Sequence, residues 1–305
     1  MSDQKDLTAV FLLIALTLIW GTSFILIKKG LIVFSPGEVA SLRVTSAALF
    51  LLPVALTKLK GLQVKDYFKL FTSGMVGIFV PAFLFATAQT QISSSVAGII
   101  NCLTPIWTVI VGALFFSQRF RGYAILGIVI GFAGTTILII SKGGDFGTIN
   151  WFALLIVLAC AMYGTNLNFI KFKIPDIRSL TITSVSVVLI GPLAMIYLFG
   201  FTDFLPKMRT EPGAWTALGY LVLLGCMSTA VATVLFNKLV KISTPLFTSS
   251  VTYLMPIVAV MWGVLDGERL YVGHYIGMIT IIVGVYLANR RRDQRPVSKT
   301  AITGR

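Results

Sequence analysis

Apolar residues gather into long runs along this chain, and the charged residues are segregated between them. Ten runs stand out: Thr8–Ile27, Pro36–Leu56, Leu70–Ala88, Ser94–Phe116, Gly122–Ser141, Asn150–Ile170, Leu180–Gly200, Ala214–Asn237, Pro245–Leu265 and Tyr271–Ala288. Each is close to the ~20 residues that an apolar helix needs to cross a bilayer. They predict ten spanning helices with short connections and no hidden soluble domain. The third and eighth runs are the least uniform, being interrupted by small and polar residues. The first is too long for the apolar core of a signal peptide. It ends in Lys28-Lys29 with no small-x-small cleavage site, so it reads as a mature helix.

The runs also repeat. Leu70–Pro105 matches Leu221–Pro256 at an offset of 151, with Gly74 on Gly225, Leu84-Phe85 on Leu235-Phe236 and Pro105 on Pro256. Beyond them, Gln118-Arg119 falls on Glu268-Arg269, Gly127 on Gly277 and Gly134 on Gly284 at offset 150. Near the front, Gly21-Thr22 and Lys28 fall on Gly164-Thr165 and Lys171 at offset 143. These matches divide the chain into a first five-helix repeat (1–145), a second (146–290) and a basic tail (291–305). Paired halves in an apolar chain are the usual build of a secondary transporter.

Composition agrees with the runs. Charged residues are only 12% and mean hydropathy is +0.91, whereas soluble domains carry about 25% charged residues. Charge placement then sets orientation. The termini and even-numbered connections hold eighteen Lys and Arg, the opposite side six, and Arg43 lies within a span. By the positive-inside rule both termini are cytoplasmic. Five spans per half is odd, so the second half inserts upside down. The predicted fold is an all-α polytopic membrane protein of ten transmembrane helices in two inverted five-helix repeats. The net charge of +14 sits in cytoplasmic connections and the tail, where anionic lipid headgroups suffice as partners, so no nucleic acid is expected.

Catalytic chemistry is nearly absent. His274 is the single histidine, and Cys102, Cys160 and Cys226 fall in three different spans without a CxxC pair. The thiols read as small buried hydrophobes. No Walker motif cradles a phosphate, and no cofactor or metal is expected.

The segment Trp20-Gly21-Thr22-Ser23-Phe24, then Ser35-Pro36-Gly37-Glu38 and Leu42-Arg43, resembles the opening of the EamA-like drug/metabolite transporter superfamily. Pro256 followed by Gly267-Glu268-Arg269-Leu270, Gly277 and Gly284 resembles the ending of the same family's second half. The first half carries a weaker copy and departs from it with Gln118 where the family often has Glu. The resemblance covers roughly residues 8 to 289. It implies ten helices in two inverted repeats, and export or exchange of small metabolites such as amino acids.

Several residues are candidates for the transport pathway. Arg43 lies about two turns into the second span, where a charge is costly unless it faces a cavity or a partner. It either binds an anionic group or serves helix ends and pairs with Glu38. Pro105 and Pro256 interrupt matched spans and point to a site, or are packing kinks. Asn101 and Thr252, one turn before each proline, line a cavity or satisfy the carbonyls that the prolines free. Tyr253 suits a cavity wall. Trp20-Gly21-Thr22-Ser23 faces Tyr163-Gly164-Thr165-Asn166 across the pseudo-twofold, as pocket lining or as small-residue packing. Phe85 and Gln89 share a helix face. They form one cavity wall, or Phe85 faces lipid and Gln89 the headgroups.

The reading that follows is a bacterial inner-membrane carrier for a small organic metabolite, an amino acid or related compound. It works by alternating access, as a monomer, with a dimer through the glycine faces left open. No acid lies at midplane, which favours facilitated diffusion or exchange. A proton-coupled antiporter remains the alternative, and a membrane-embedded enzyme or a channel is the more distant rival.

Overall fold

The computed structural model describes residues 2–116, 122–140, 150–242 and 245–289. The 291–305 tail, Gln118-Arg119 and the side chain of Tyr253 lie outside the described part. All described elements are helical, with no strand among them. The first half runs α1 (Ser2–Gly30), α2 (Pro36–Leu56), α3 (Val64–Gly74), α4 (Val80–Ala88), α5 (Ser94–Ile100), α6 (Thr104–Phe116) and α7 (Gly122–Ile140). The second runs α8 (Phe152–Lys173), α9 (Ser179–Gly200), a short α10 (Phe204–Thr210), α11 (Ala214–Leu223), α12 (Ala232–Ile242), α13 (Pro245–Leu265) and α14 (Val272–Asn289).

Among the described residues seven helical stretches are long and apolar enough to cross a membrane: Leu7–Gly30, Pro36–Leu56, Val64–Ala88, Ser94–Phe116, Phe152–Lys173, Ser179–Gly200 and Ala214–Phe236. Three shorter apolar stretches, Ile125–Leu138, Leu254–Leu265 and Val272–Leu287, lie in α7, α13 and α14. The outer surface is apolar too: Phe11, Phe50, Phe115, Ile196 and Ile279 are all more than half exposed. Helices apolar all round belong in lipid, because water would not tolerate so continuous an apolar skin.

The two least uniform apolar runs have a structural counterpart. A π-helical segment, Met75–Phe79, joins α3 to α4, and another, Leu224–Val231, joins α11 to α12. They overlap at the repeat offset of 151. A π turn widens the helix and shifts which side chains face inward, and such turns are frequent at functional sites.

Helix pairing is reciprocal between the halves. α1 packs on α13 as α8 packs on α6; α1 packs on α12 as α8 packs on α4; α2 packs on α11 and the second π segment as α9 packs on α3 and the first. Glycines show the same exchange at atomic scale. A Cβ on Gly134 would strike Ile281 N and Gly277 O, and one on Gly284 would strike Gly131 N and Gly127 O. Gly21 faces Met255 O and Val258, as Gly164 faces Trp107 and Thr108 N. Gly225 lies on Arg43 O, as Gly74 lies on Ser186 O. Without large side chains the backbones approach closely, which is how helices gain packing contact in lipid, where apolar burial offers little.

Gly284→Val should therefore lower the melting temperature of the detergent-purified protein, since overpacking costs about 1–3 kcal/mol. Gly219→Ala, with nothing within 4 Å, should not lower it.

Candidate functional site

The centre of the bundle is tied by side chains from α1, α2, α3, α8 and the second π segment. Trp20 Nε1 donates to Ser228 O at 3.0 Å. The Ser23 and Ser228 hydroxyls bond at 2.7 Å, and the Ser23 hydroxyl lies 3.0 Å from Ile19 O. Arg43 Nε donates to Thr229 Oγ1 at 3.0 Å. In the other half Ser73 Oγ donates to Asn166 Oδ1 at 2.8 Å. Asn166 stands at the repeat position of Ser23, and Gly77 at that of Ser228. A Cβ on Gly77 would collide with the Asn166 amide. Both halves thus make the same meeting, with a small pair in one and a large–absent pair in the other.

Aromatic rings close the space between these groups. Tyr163 stacks on Phe85 with centroids 6.1 Å apart and planes at 23°. Phe85 tilts against Phe24 at 6.0 Å, and Trp20 against Phe236 at 5.2 Å. Phe85 and Gln89 are both buried. Phe85 packs inward rather than facing lipid, and Gln89 is buried where α4 ends. Both polar atoms of the Gln89 amide are buried without a hydrogen-bond partner.

Arg43 and Glu38 do not pair. Five residues of helix turn two side chains about 140° apart. Glu38 instead accepts from Ser35 N at 2.6 Å, closing a capping box at the start of α2, and from Lys207 Nζ at 2.6 Å. Lys207 comes from α10, a helix in a stretch that reads from sequence only as a connection.

The prolines behave differently from each other. Asn101–Leu103 forms a 3₁₀ turn just before Pro105, whereas α13 runs unbroken through Pro256. The carbonyl four residues before each proline loses its usual donor. Asn101 O accepts from Thr104 Oγ1 at 3.0 Å. Thr252 O accepts from Cys102 Sγ at 3.1 Å, a thiol of the other half. The side chains of Asn101 and Thr252 are half-buried. Asn101 Oδ1 lies 3.9 Å from Cys160 Sγ.

One end of the bundle is held by charge. Lys28 Nζ lies 2.7 Å from Asp266 and 3.0 Å from Glu268, and Lys29 also pairs with Asp266. Glu268 Oε1 further accepts from Ser94 N at 2.9 Å and Ser94 Oγ at 2.7 Å. Its Oε2 accepts from Ser95 N at 3.0 Å and Ser95 Oγ at 2.6 Å. The carboxylate thereby caps α5 from the α13–α14 connection, at the positive end of a helix dipole. Gly263 leaves the room, since a Cβ there would overlap Ser95 Oγ and Glu268. Gly267, at φ 82°, supplies the turn. Burial pushes the Glu268 carboxyl up, but the bonds from Ser95, Ser94 and Lys28 outweigh it and leave it below the usual 4.5. Hydrogen bonds from Lys28 and Lys29 hold Asp266 below 3.8.

The sequence matches the EamA-like transporter family twice, over residues 7–140 and 150–290. The chain belongs to the EamA-like transporter family. An uncharacterized transporter of Archaeoglobus fulgidus is 30% identical over 288 residues, spanning 92% of this chain and 99% of that protein. The uncharacterized inner membrane transporter YedA of Escherichia coli K12 is 26% identical over 286 residues, spanning 90% and 88%. The uncharacterized transporter YcxC of Bacillus subtilis is 26% identical over 319 residues, spanning 97% and 98%. A protein of known crystal structure shares the fold at TM-score 0.61 and 18% identity, covering 92% of this chain and 96% of that one. This EamA-like chain is a multi-pass membrane transporter. The family's two copies coincide with the halves whose helix pairings exchange.

Of the predicted site residues, Trp20, Ser23, Arg43, Phe85, Tyr163 and Asn166 converge on the centre. Gln89 lies at the α4 terminus, and Pro105, Pro256, Asn101 and Thr252 cluster where the thiols bond freed carbonyls. Ser73, Ser228 and Thr229 were not singled out. The signal for Ser228 and Thr229 was present, as polar residues inside an otherwise apolar eighth run.

Stability supplied by the charged end is present above the ordinary carboxylate values and is lost as pH falls through the depressed ones. Glu268→Gln should melt below wild type at neutral pH, and the gap should shrink as the pH falls below the ordinary carboxylate range. Melting curves across pH measure it.

Proposed function

We propose that this chain is a secondary carrier moving a small organic metabolite by alternating access, built as ten spans in two inverted five-span repeats. The observation that carries the reading is the matched pair of π segments, each meeting the first helix of the other half at the bundle centre. In transporters built from repeats, interrupted helices at equivalent positions mark the substrate site. Here Ser23–Ser228 and Asn166–Gly77 sit at those meetings.

Alternating access needs two ends that open in turn. The excess of Lys and Arg in the termini and even-numbered connections puts both termini in the cytoplasm, so the Lys28–Asp266–Glu268 end faces outward. The equivalent inner positions carry Phe116 for Asp266, Gln118 for Glu268 and Pro245-Leu246 for Ser94-Ser95. None of these is a carboxylate or its cap. The outer end closes by the Lys28–Asp266–Glu268 ion pairs, which the residues at the equivalent inner positions cannot repeat. Opening one end at a time exposes the centre to each side in turn.

Transport runs down the metabolite's own gradient, as facilitated diffusion or exchange. Every described Asp and Glu lies in a connection or an outer turn of a helix. Glu38, the most buried, is already held by Lys207 and Ser35. The family and its relatives point to transport rather than catalysis.

Two measurements test this. Reporter fusions at residue 305 and in the Thr148 connection should report opposite sides of the membrane; the same side for both would overturn the inverted build. Proteoliposomes without an ion gradient should exchange metabolite from a defined mixture, unaffected by an imposed pH gradient. Uphill accumulation driven by that gradient and lost in Glu38→Gln would overturn the coupling.

A further inference from the structure

Resting on the carrier reading above, we propose that Arg43 anchors a carboxylate of the transported metabolite. Arg43 stands about 10 Å along α2 from its start, at 1.5 Å per residue. A guanidinium at that depth is costly unless something anionic meets it. Among the described residues no carboxylate pairs with it, since the ion pairs formed there belong to Lys28, Lys29 and Lys207. Glu38, the nearest acid on α2, is turned away and bonded to Lys207.

The guanidinium is held but not used up. Nε is committed to Thr229 Oγ1, and the Tyr163 hydroxyl lies within interacting range. Arginine carries five N–H donors in a planar fork. The Nε bond fixes the plane of that fork, and Tyr163 can occupy only part of the four terminal N–H donors, which leaves donors for a second oxygen acceptor. A carboxylate matches two parallel N–H groups in both spacing and charge. One cation also balances one negative charge, which fits a carboxylate better than a doubly charged phosphate.

The repeat makes the site one-sided. The glycine contacts place Ser186 where Arg43 stands in the other half, because a Cβ on Gly74 would come within 2.8 Å of Ser186 O as one on Gly225 would come within 2.5 Å of Arg43 O. Ser186 is uncharged, and its buried hydroxyl has no partner. Among the described residues the centre therefore holds a single cation, displaced toward α2. The Tyr163 ring beside it offers apolar surface to the rest of the molecule.

The test uses full-length protein in proteoliposomes and an equimolar mixture of amino acids, their primary amides and their decarboxylated amines, with uptake read by mass spectrometry. The amide keeps the size and shape of the acid and removes only its negative charge, and the amine removes the group altogether. Wild type should favour the carboxylate members by about tenfold or more, the worth of one charge-assisted hydrogen bond. Arg43→Gln should lose that preference and Arg43→Lys should keep part of it. A structural role would lower all uptake together without moving the ratio. Equal wild-type uptake of acids and amides would overturn the proposal, whatever the variants do. So would an unchanged ratio in well-folded Arg43→Gln. Failure of wild type to move any member would instead count against the carrier reading, and the proposal would fall with it.

Discussion

Backbone-to-backbone contact between the two halves is the constraint on which the rest depends. At Gly134–Gly277 and Gly131–Gly284 the α7 and α14 chains approach until a Cβ would strike a peptide N or O. At Gly21 and Gly164 the first helix of each half lies equally close to α13 and α6. In lipid, apolar burial offers little drive for helices to associate, so close fit and interhelical hydrogen bonds must hold the bundle. The glycines supply the fit. They also set the distance at which Trp20, Ser23 and Asn166 meet the π segments of the opposite half.

Those meetings give the centre its chemistry. An α-helical carbonyl is normally occupied by its own ladder, but Ser228 O is available to Trp20 because the π segment breaks the register. The same logic explains the thiols. A proline at 256 frees Thr252 O, and Cys102 reaches across from the other half to bond it. A polar group left unsatisfied in lipid would be far more costly than the weak S–H bond that occupies it.

Much of this was legible in the sequence, and for physical reasons. Bilayer thickness writes itself into run length, and close helix crossing writes itself into glycine position. The irregular third and eighth runs, broken by Ser73, Gly77, Ser228 and Thr229, foreshadow the π segments. Partners far apart in sequence were not legible. Lys28 and Glu268 are 240 residues apart, and Glu38 and Lys207 are 169. Periodicity reports the face a residue occupies, not what that face meets. Arg43 shows the difference: helix geometry excludes Glu38 as its partner, but only the fold brings Thr229 and Tyr163 to it. Phe85 likewise reads as lipid-facing or inward until Phe24 and Tyr163 enclose it.

The central claim is that access to the centre is gated at the charged end, which Glu268 holds shut. The most direct measurement is the distance between spin labels, carried on noncanonical amino acids at Ile32 and Val272, by pulsed electron paramagnetic resonance. Both positions are exposed, at 72% and 73%, and they flank the charged end. Wild type should give one dominant short distance, and Glu268→Gln should add a second, longer population. An identical single distance in both proteins would contradict the account.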